Sequence, residues 1–200
     1  MTVALIDDDA AVLDSLRMLL QKRGMLVECF ASAQDFLARF GSMSVSCIVS
    51  DVRMPGLSGL DLQAELLKRG SSVPVILITG HGDIAMAVNA IKLGAFDFIE
   101  KPLDFHKLME SIRRAAKTSE RQQTQLDQIA DARKRVSELS QRQRQVMEMV
   151  AQGLSNKEIG LRLGISSRTV ENYRAWAMEK MGATNLADLV RMVVQLESGG

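Results

Sequence analysis

Hydrophobic and polar positions follow two patterns over the first 118 residues. Short apolar runs rich in β-branched residues predict buried strands, and the stretches between them carry apolar residues three and four positions apart, as amphipathic helices do. The predicted strands are Val3–Ile6, Leu26–Phe30, Cys47–Ser50, Val73–Thr79 and Asp97–Glu100. The predicted helices are Ala10–Arg23, Ser32–Phe40, Gly59–Arg69, Asp83–Leu93 and one beginning near Phe105. This alternation predicts an α/β architecture: a five-stranded parallel, doubly wound sheet with helices on both faces.

From residue 139 to residue 200 the pattern is helical only. Capping boxes at Ser140 and Ser155 predict two helix starts, and glycines predict helix ends. The expected helices run from Ser140 to Val150, from Ser155 to Gly164, from Ser166 to Met181, and onward from Thr184 or Asn185. The two that meet at Gly164-Ile165 have helix-turn-helix spacing. We expect a small all-α four-helix domain whose longer helix enters the major groove of DNA.

Residues 119–138 join these two regions. They contain no Gly or Pro, many good helix formers and few apolar residues. Such a segment is either a solvated helix that continues the fifth helix or a flexible linker, and we favour a partial helix. No heptad pattern that would indicate a coiled coil is sustained. The predicted organisation is therefore 1–118, 119–138 and 139–200.

Polar side chains collect at the carboxyl ends of the predicted strands. Asp7 and Asp8 follow the first strand, Asp51 the third, Thr79 ends the fourth and Lys101 follows the fifth. In open parallel sheets the functional site lies at this edge. Clustered carboxylates require a cation, which Mg²⁺ can provide, and a hydroxyl with an ammonium suits a phosphoryl group. Each feature alone has a structural explanation, such as an acidic cap for the first helix.

Four motifs resemble the receiver domain of bacterial two-component response regulators. They are Asp7-Asp8, Asp51-Val52-Arg53-Met54-Pro55 with Ser58-Gly59, Ile78-Thr79-Gly80-His81-Gly82, and Phe98-Ile99-Glu100-Lys101-Pro102. The resemblance implies that Asp51 accepts a phosphoryl group from a phosphohistidine of a sensor histidine kinase. It also implies Mg²⁺ bound by Asp8, Asp51 and the backbone carbonyl of Arg53, with Asp7 acting through water.

The resemblance implies roles for three further residues of this region. Thr79 and Lys101 would contact the phosphoryl oxygens, and Phe98 would be the aromatic switch that turns inward when Thr79 moves. The Lys101–Pro102 peptide bond would be cis. The fourth helix and fifth strand, with Val88, Ile91 and Lys92, would then form a dimer surface.

Three motifs of the C-terminal region resemble the LuxR-type DNA-binding domain. They are Leu139-Ser140-Gln141-Arg142, the segment from Gly153 to Ile159, and the segment from Ile165 to Glu171. Together with the receiver motifs, the chain resembles the NarL/FixJ family, and within it the FixJ type. It departs from the family pattern at Gln143, which still completes a capping box, and at Tyr173 on the recognition helix.

The recognition helix offers candidates for each role. We expect Val170, at least part of Trp176, and Met181 to pack in the core. In the family the side with Glu171, Asn172 and Ala175 turns toward the bases, where Asn suits adenine and Glu suits cytosine. The DNA-binding candidates are Asn156, Lys157, Ser166, Ser167, Arg168, Thr169, Glu171, Asn172, Arg174, Ala175 and Lys180. A solvated helix face is the alternative for each arginine, and the last helix either dimerises on DNA or only packs in the core.

The amino-acid composition narrows the possible classes of protein. Hydrophobic residues make up 46% and charged residues 24%, which indicates a globular chain. The net charge is +1, and 138–200 hold eight basic and seven acidic residues, so DNA binding rests on helix pattern rather than bulk charge. We expect no membrane span and no signal peptide. Cys29 and Cys47 lack metal-ligand spacing, which favours small core residues of a reduced, cytoplasmic protein.

The predicted function is a phosphorylation-switched transcription factor, not an enzyme. Its partners would be a sensor histidine kinase, double-stranded promoter DNA, a second copy of the chain and, by resemblance, RNA polymerase, with activation as the expected outcome. Two alternatives remain open: a magnesium-dependent phosphohydrolase, for which no substrate cap is evident, and a regulator whose receiver dimerises without phosphorylation.

Overall fold

The computed structural model describes residues 1–80 and 84–198, which form two compact units, 1–123 and 124–200. The strands are β1 (Thr2–Ile6), β2 (Leu26–Phe30), β3 (Cys47–Asp51), β4 (Val75–Thr79) and β5 (Asp97–Glu100). The helices of the first unit are α1 (Ala10–Gln21), α2 (Ala33–Arg39), α3 (Gly59–Lys68) and α4 (Ile84–Lys92). Helix α5 (Phe105–Ser137) reaches into the second unit, which continues with α6 (Gln141–Ala151), α7 (Asn156–Leu163), α8 (Ser167–Met181) and α9 (Leu186–Ser198).

The strands of the first unit form a parallel sheet in the order β2-β1-β3-β4-β5. Alternate residues of each strand enter opposite layers because side chains alternate across a sheet. Along β1, Ala4 and Ile6 pack in the layer that contains Phe36 and Leu62, whereas Leu5 packs in the other. The predicted α/β fold is confirmed, and so is the helical second domain.

Several boundaries differ from the prediction. Strand β4 begins at Val75, two residues later than predicted, because Pro74 has no N–H for a ladder and serves only as an acceptor for Ile48 N–H at 2.9 Å. Helix α2 ends at Arg39 and is followed by a short 3₁₀ turn, Phe40–Ser42. The predicted start of α4 at Asp83, and the motif residues His81 and Gly82, lie outside the described residues.

The end of α5 packs within the second unit. Helix α5 covers 119–137 without interruption, and Ala132 is buried while Val136 packs against the core of this unit. Arg135 donates from Nη1 to the carbonyl of Met181 at 2.6 Å, at the end of α8. The predicted connecting segment is therefore helical, and its last turns belong to the C-terminal unit rather than to a solvated linker.

Candidate functional site

The polar site of the first unit lies at the carboxyl edge of its sheet. Asp51 ends β3, which lies between β1 and β4, and Asp7 directly follows β1. Lys101, just after β5, places Nζ 2.6 Å from Oδ1 of Asp51 and 3.4 Å from Oδ2 of Asp7. The other oxygens are also fixed: Oδ2 of Asp51 accepts the N–H of Arg53 at 2.6 Å, and Oδ1 of Asp7 accepts the N–H of Asp9 at 2.9 Å. Two carboxylates thus share one ammonium group.

Burial and charge act against each other at this site. Burial raises the pKa of Asp7, opposed by the hydrogen bond from Asp9 N–H and the charge of Lys101. For Lys101, partial burial alone would lower the pKa, but the hydrogen bond to Asp51 and the charges of both carboxylates outweigh it, so the pKa rises. The ammonium of Lys101 therefore stays charged at neutral pH.

Residues around Asp51 leave little freedom to its backbone. A Cβ on Gly59, the first residue of α3, would lie 2.4 Å from the carbonyl oxygen of Asp51, so only glycine fits. Thr79 is almost fully buried at the end of β4, and its carbonyl accepts the N–H of Lys101 at 2.7 Å. The Lys101–Pro102 peptide bond is cis. Thr79, Asp51 and Lys101 are thus held on three adjacent strand ends.

The predicted magnesium ligands differ in their positions at this edge. Asp7 and Asp51 converge, but Asp8 is exposed, and within 1–80 and 84–198 no three acidic, histidine or cysteine side chains form a group that could hold a metal ion. The ammonium of Lys101 contacts both carboxylates of the converging pair. Paired, buried carboxylate oxygens directed at one cation nevertheless match the oxygen ligands that Mg²⁺ prefers.

A surface cleft of about 640 Å³ lies elsewhere on the first unit, between α4, β5 and α5. Val88 and Phe98 line it, and Val88 and Ile91 are exposed at 47% and 49%. Lys92 is also exposed. The structure thus places the predicted switch aromatic and the predicted dimer residues on one side of the unit.

In the second unit, α7 and α8 pack closely at their turn. A Cβ on Gly160 would lie 2.7 Å from the carbonyl oxygen of Ile165, which explains the glycine. Ser166 caps α8, since its Oγ accepts the N–H of Thr169 at 3.1 Å. Asn156 donates from its amide to Glu171 at 3.5 Å, linking the start of α7 to α8.

Most DNA-binding candidates lie on the exposed side of α7 and α8. The exposed ones are Lys157, Ser166, Ser167, Arg168, Glu171, Asn172, Ala175 and Lys180, and the half-buried ones are Asn156, Thr169 and Arg174. Several of them also have contacts within the unit: besides the Ser166 cap and the Asn156–Glu171 hydrogen bond, Lys180 donates from Nζ to the carbonyl of Glu138 at 2.9 Å. The ammonium of Lys180 is thus directed to the residue that follows α5.

One residue of the recognition helix, Trp176, is only half buried. Val170 and Met181 are fully buried in the core, as expected, but Trp176 is 49% exposed and is absent from the core cluster. The core side of α8 instead uses Ala177, which is fully buried, and Tyr173, which packs against the cluster.

The sequence matches two family models. Residues 3–113 match the response regulator receiver domain, and residues 137–193 match the luxR family of bacterial regulatory proteins. The chain is 49% identical over 192 residues to the transcriptional regulatory protein FixJ of Azorhizobium caulinodans, covering 96% of this chain and 91% of that protein. It is 43% identical over 195 residues to the response regulator protein TmoT of Ectopseudomonas mendocina, covering 98% and 89%.

Solved structures show the same architecture. The response regulator StyR has 35% identity and a TM-score of 0.82, with 97% of this chain and 98% of that chain covered. Full-length FixJ from B. japonicum has 44% identity and a TM-score of 0.60, with 98% and 97% covered. The fold, the site and these matches define a transcriptional response regulator of a two-component system. The chain belongs to the NarL/FixJ-type family of response regulators.

In the described part of the chain, no helix combines the length and apolar character that crossing a bilayer requires.

Proposed function

We propose that Asp51 is the phosphoacceptor of a switch that controls binding to promoter DNA. The observation that carries this is the ion pair of the buried Asp51 with Lys101, at the edge where parallel sheets place their functional sites. An oxygen of Asp51 attacks the phosphorus of a phosphohistidine on a sensor histidine kinase. The P–N bond breaks, an aspartyl phosphate forms, and the histidine side chain of the kinase is the leaving group.

Lys101 and Thr79 act on the transferred group. The ammonium of Lys101 moves from the carboxylates to the incoming phosphoryl oxygens, where charge develops, and the hydroxyl of Thr79 donates to another oxygen. Asp7, Asp8, Asp51 and the backbone carbonyl of Arg53 would hold Mg²⁺. The ion supplies further compensation of the phosphoryl charge when bound. The unit is modified by this reaction and turns over no external metabolite, so we do not class it as an enzyme.

The switch then changes the α4–β5 side. Thr79 ends β4, whose neighbour β5 contains Phe98, and Phe98 lines the cleft beside Val88. Movement of Thr79 toward the phosphoryl group opens space that Phe98 occupies. This reshapes the surface formed by Val88, Ile91 and Lys92, on which two phosphorylated chains dimerise. An exposed apolar surface of this kind supports a protein contact.

In the dimer, two DNA-binding units are linked and can bind the same DNA site. Each α8 enters a major groove, and two linked units bind two half-sites with a higher effective concentration than either has alone. Basic and polar residues of α7 and α8 contact phosphates, while Glu171, Asn172 and Ala175 face base edges. In the cytoplasm the bound dimer contacts RNA polymerase, with activation of transcription as the outcome.

The experiment is phosphorylation of the full chain with acetyl phosphate and Mg²⁺, followed by intact-protein mass spectrometry. Wild-type protein gains the mass of one phosphoryl group, and Asp51→Asn gains none. Asp14→Asn, which removes an exposed carboxylate of α1, serves as the matched control and is labelled as wild type is. Labelling of Asp51→Asn to the wild-type level would refute the assignment.

A further inference from the structure

Trp176 is the only tryptophan of the chain, and 49% of it is exposed on α8. Leaving a large indole in water forfeits the free energy that its burial would provide. The opposite side of the same helix is fully closed, since Val170, Ala177 and Met181 are each 0% exposed. The core of the unit is therefore complete without the outer half of this ring.

The ring lies on the same side of α8 as Asn172, one of the base-reading candidates. Residues four apart are neighbours on a helix surface, so Arg168, Asn172 and Trp176 form one stripe along α8. All three are exposed. At 1.5 Å per residue the stripe is about 12 Å long, comparable with the width of the major groove. Ala175, next to this stripe, is small and permits close approach of the helix to DNA.

Tyr173 holds the indole in place. The two ring centroids are 5.6 Å apart, and the planes are inclined at 79°, an edge-to-face arrangement. Tyr173 itself packs against the core of the unit. Such a contact fixes the orientation of the exposed ring before any partner arrives, so little side-chain entropy is lost on binding.

We infer that Trp176 is a DNA contact, which rests on the proposed DNA-binding function of α8. Its indole packs against apolar surface in the groove occupied by Asn172, and its N–H is available to an acceptor there. Two groups of DNA offer such surface: the C5-methyl of thymine, which distinguishes sequence, and deoxyribose, which does not. Arg168 and Asn172 on the same stripe favour DNA over a protein partner, because a protein interface core tends to exclude charged residues.

The test uses the full chain, phosphorylated or activated by beryllofluoride, and a labelled duplex recovered from a random library by selection for binding. Binding is measured by anisotropy of the labelled DNA, and the emission of the single tryptophan is recorded in the same titration. We expect the emission to change with the same midpoint as the anisotropy. We expect Trp176→Ala to weaken binding of the selected duplex about tenfold or more, and Trp176→Phe to weaken it less.

Matched variants and duplexes make the result specific. Leu161→Ala removes a side chain of α7 that is 78% exposed, and it should leave affinity unchanged. Circular dichroism of Trp176→Ala checks that α8 stays folded. If this variant does not fold, Trp176→Phe provides the test, because it keeps an aromatic ring at the position. A duplex with uracil in place of thymine separates the two sources of apolar surface. If wild-type protein binds the uracil duplex more weakly than the thymine duplex and Trp176→Ala does not, the indole contacts the methyl group. If wild-type protein binds both duplexes equally, the indole contacts deoxyribose.

Unchanged tryptophan emission at saturating duplex, or wild-type affinity of a folded Trp176→Ala, would overturn the inference and assign the ring to a protein partner. DNA binding seen by anisotropy would then still support the proposed function. Failure to recover any bound duplex would instead contradict the proposed function itself.

Discussion

Nζ of Lys101 lies 2.6 Å from Oδ1 of Asp51, at the sheet edge where the ends of β3 and β5 meet the end of β4. Oδ2 of Asp7 lies 3.4 Å from the same nitrogen. Asp51 and Asp7 are both buried, so each depends on this cation to compensate its charge. An incoming phosphoryl group would bring further negative charge to the same nitrogen. Lys101 therefore compensates the charge of the resting site, and we propose that the reaction depends on the same ammonium.

Lys101→Met should slow phosphorylation of Asp51. Methionine keeps the length of the side chain but removes the charge that is expected to compensate the phosphoryl oxygens. We expect the rate with acetyl phosphate to fall on the order of a hundredfold, as when one positioned electrostatic group is removed from a reaction site. The rate is measured from the phosphorylated fraction over time by mass spectrometry.

Lys22→Met provides the control, because Lys22 is an exposed residue at the end of α1. Its phosphorylation rate should equal that of the wild type. A Lys101→Met rate equal to that of the control would show that the ammonium makes no contact with the reacting group.

Gly59→Ala should disturb Asp51 through its backbone. The added Cβ would lie 2.4 Å from the carbonyl oxygen of Asp51, and backbone cannot move aside as a flexible side chain can. We expect a loss of about 1–3 kcal/mol in the free energy of unfolding, typical of overpacking, together with slower phosphorylation. Urea unfolding followed by circular dichroism gives the first quantity.

Gly41→Ala is the matched control, since no atom lies within 4 Å of its added Cβ. Equal unfolding midpoints for the two variants, with equal phosphorylation rates, would refute the close approach of α3 to Asp51.

Arg135→Ala should destabilise the second unit. The guanidinium donates to the carbonyl of Met181 at 2.6 Å and pairs with Asp131 at 2.8 Å, so it binds the end of α8 to α5. A cation at a helix C-terminus is favourable, and a hydrogen bond from a charged group contributes about 1.5–3 kcal/mol when buried. Since Arg135 is partly exposed, we expect a smaller loss of about 1 kcal/mol.

Urea unfolding followed by emission of Trp176 reports on this unit. Lys134→Ala, a neighbouring exposed residue of α5, should keep the wild-type midpoint. An identical midpoint for Arg135→Ala would mean that the end of α5 contributes nothing to the stability of the DNA-binding unit.

Much of the fold was predictable from the sequence because its signals are local. The alternation of strands and helices, the capping boxes at Ser140 and Ser155, and the glycines after helices all follow from short-range chemistry. The convergence of Asp7, Asp51 and Lys101 also followed, since parallel strands place their carboxyl ends at one edge. The hydrogen bonds of Lys101 to both carboxylates could not be predicted, because they depend on side-chain geometry.

Two features depended on tertiary packing. The attachment of α5 to the second unit rests on Arg135 and Ala132, whose spacing among polar residues carries little signal. The extent to which Trp176 is exposed could not be predicted, because a large aromatic residue near an apolar stripe favours burial. Its position four residues after Asn172 was the signal that could have indicated the outer face.

The most direct test of the account is sedimentation velocity of the full chain with Mg²⁺ and beryllofluoride, compared with the chain without them. Beryllofluoride binds the phosphoacceptor aspartate as a phosphoryl mimic. We expect wild-type protein to shift from monomer to dimer, whereas Asp51→Asn should stay monomeric under both conditions. A wild-type protein that does not change its sedimentation, or an Asp51→Asn protein that dimerises as the wild type does, would contradict control of dimerisation through Asp51.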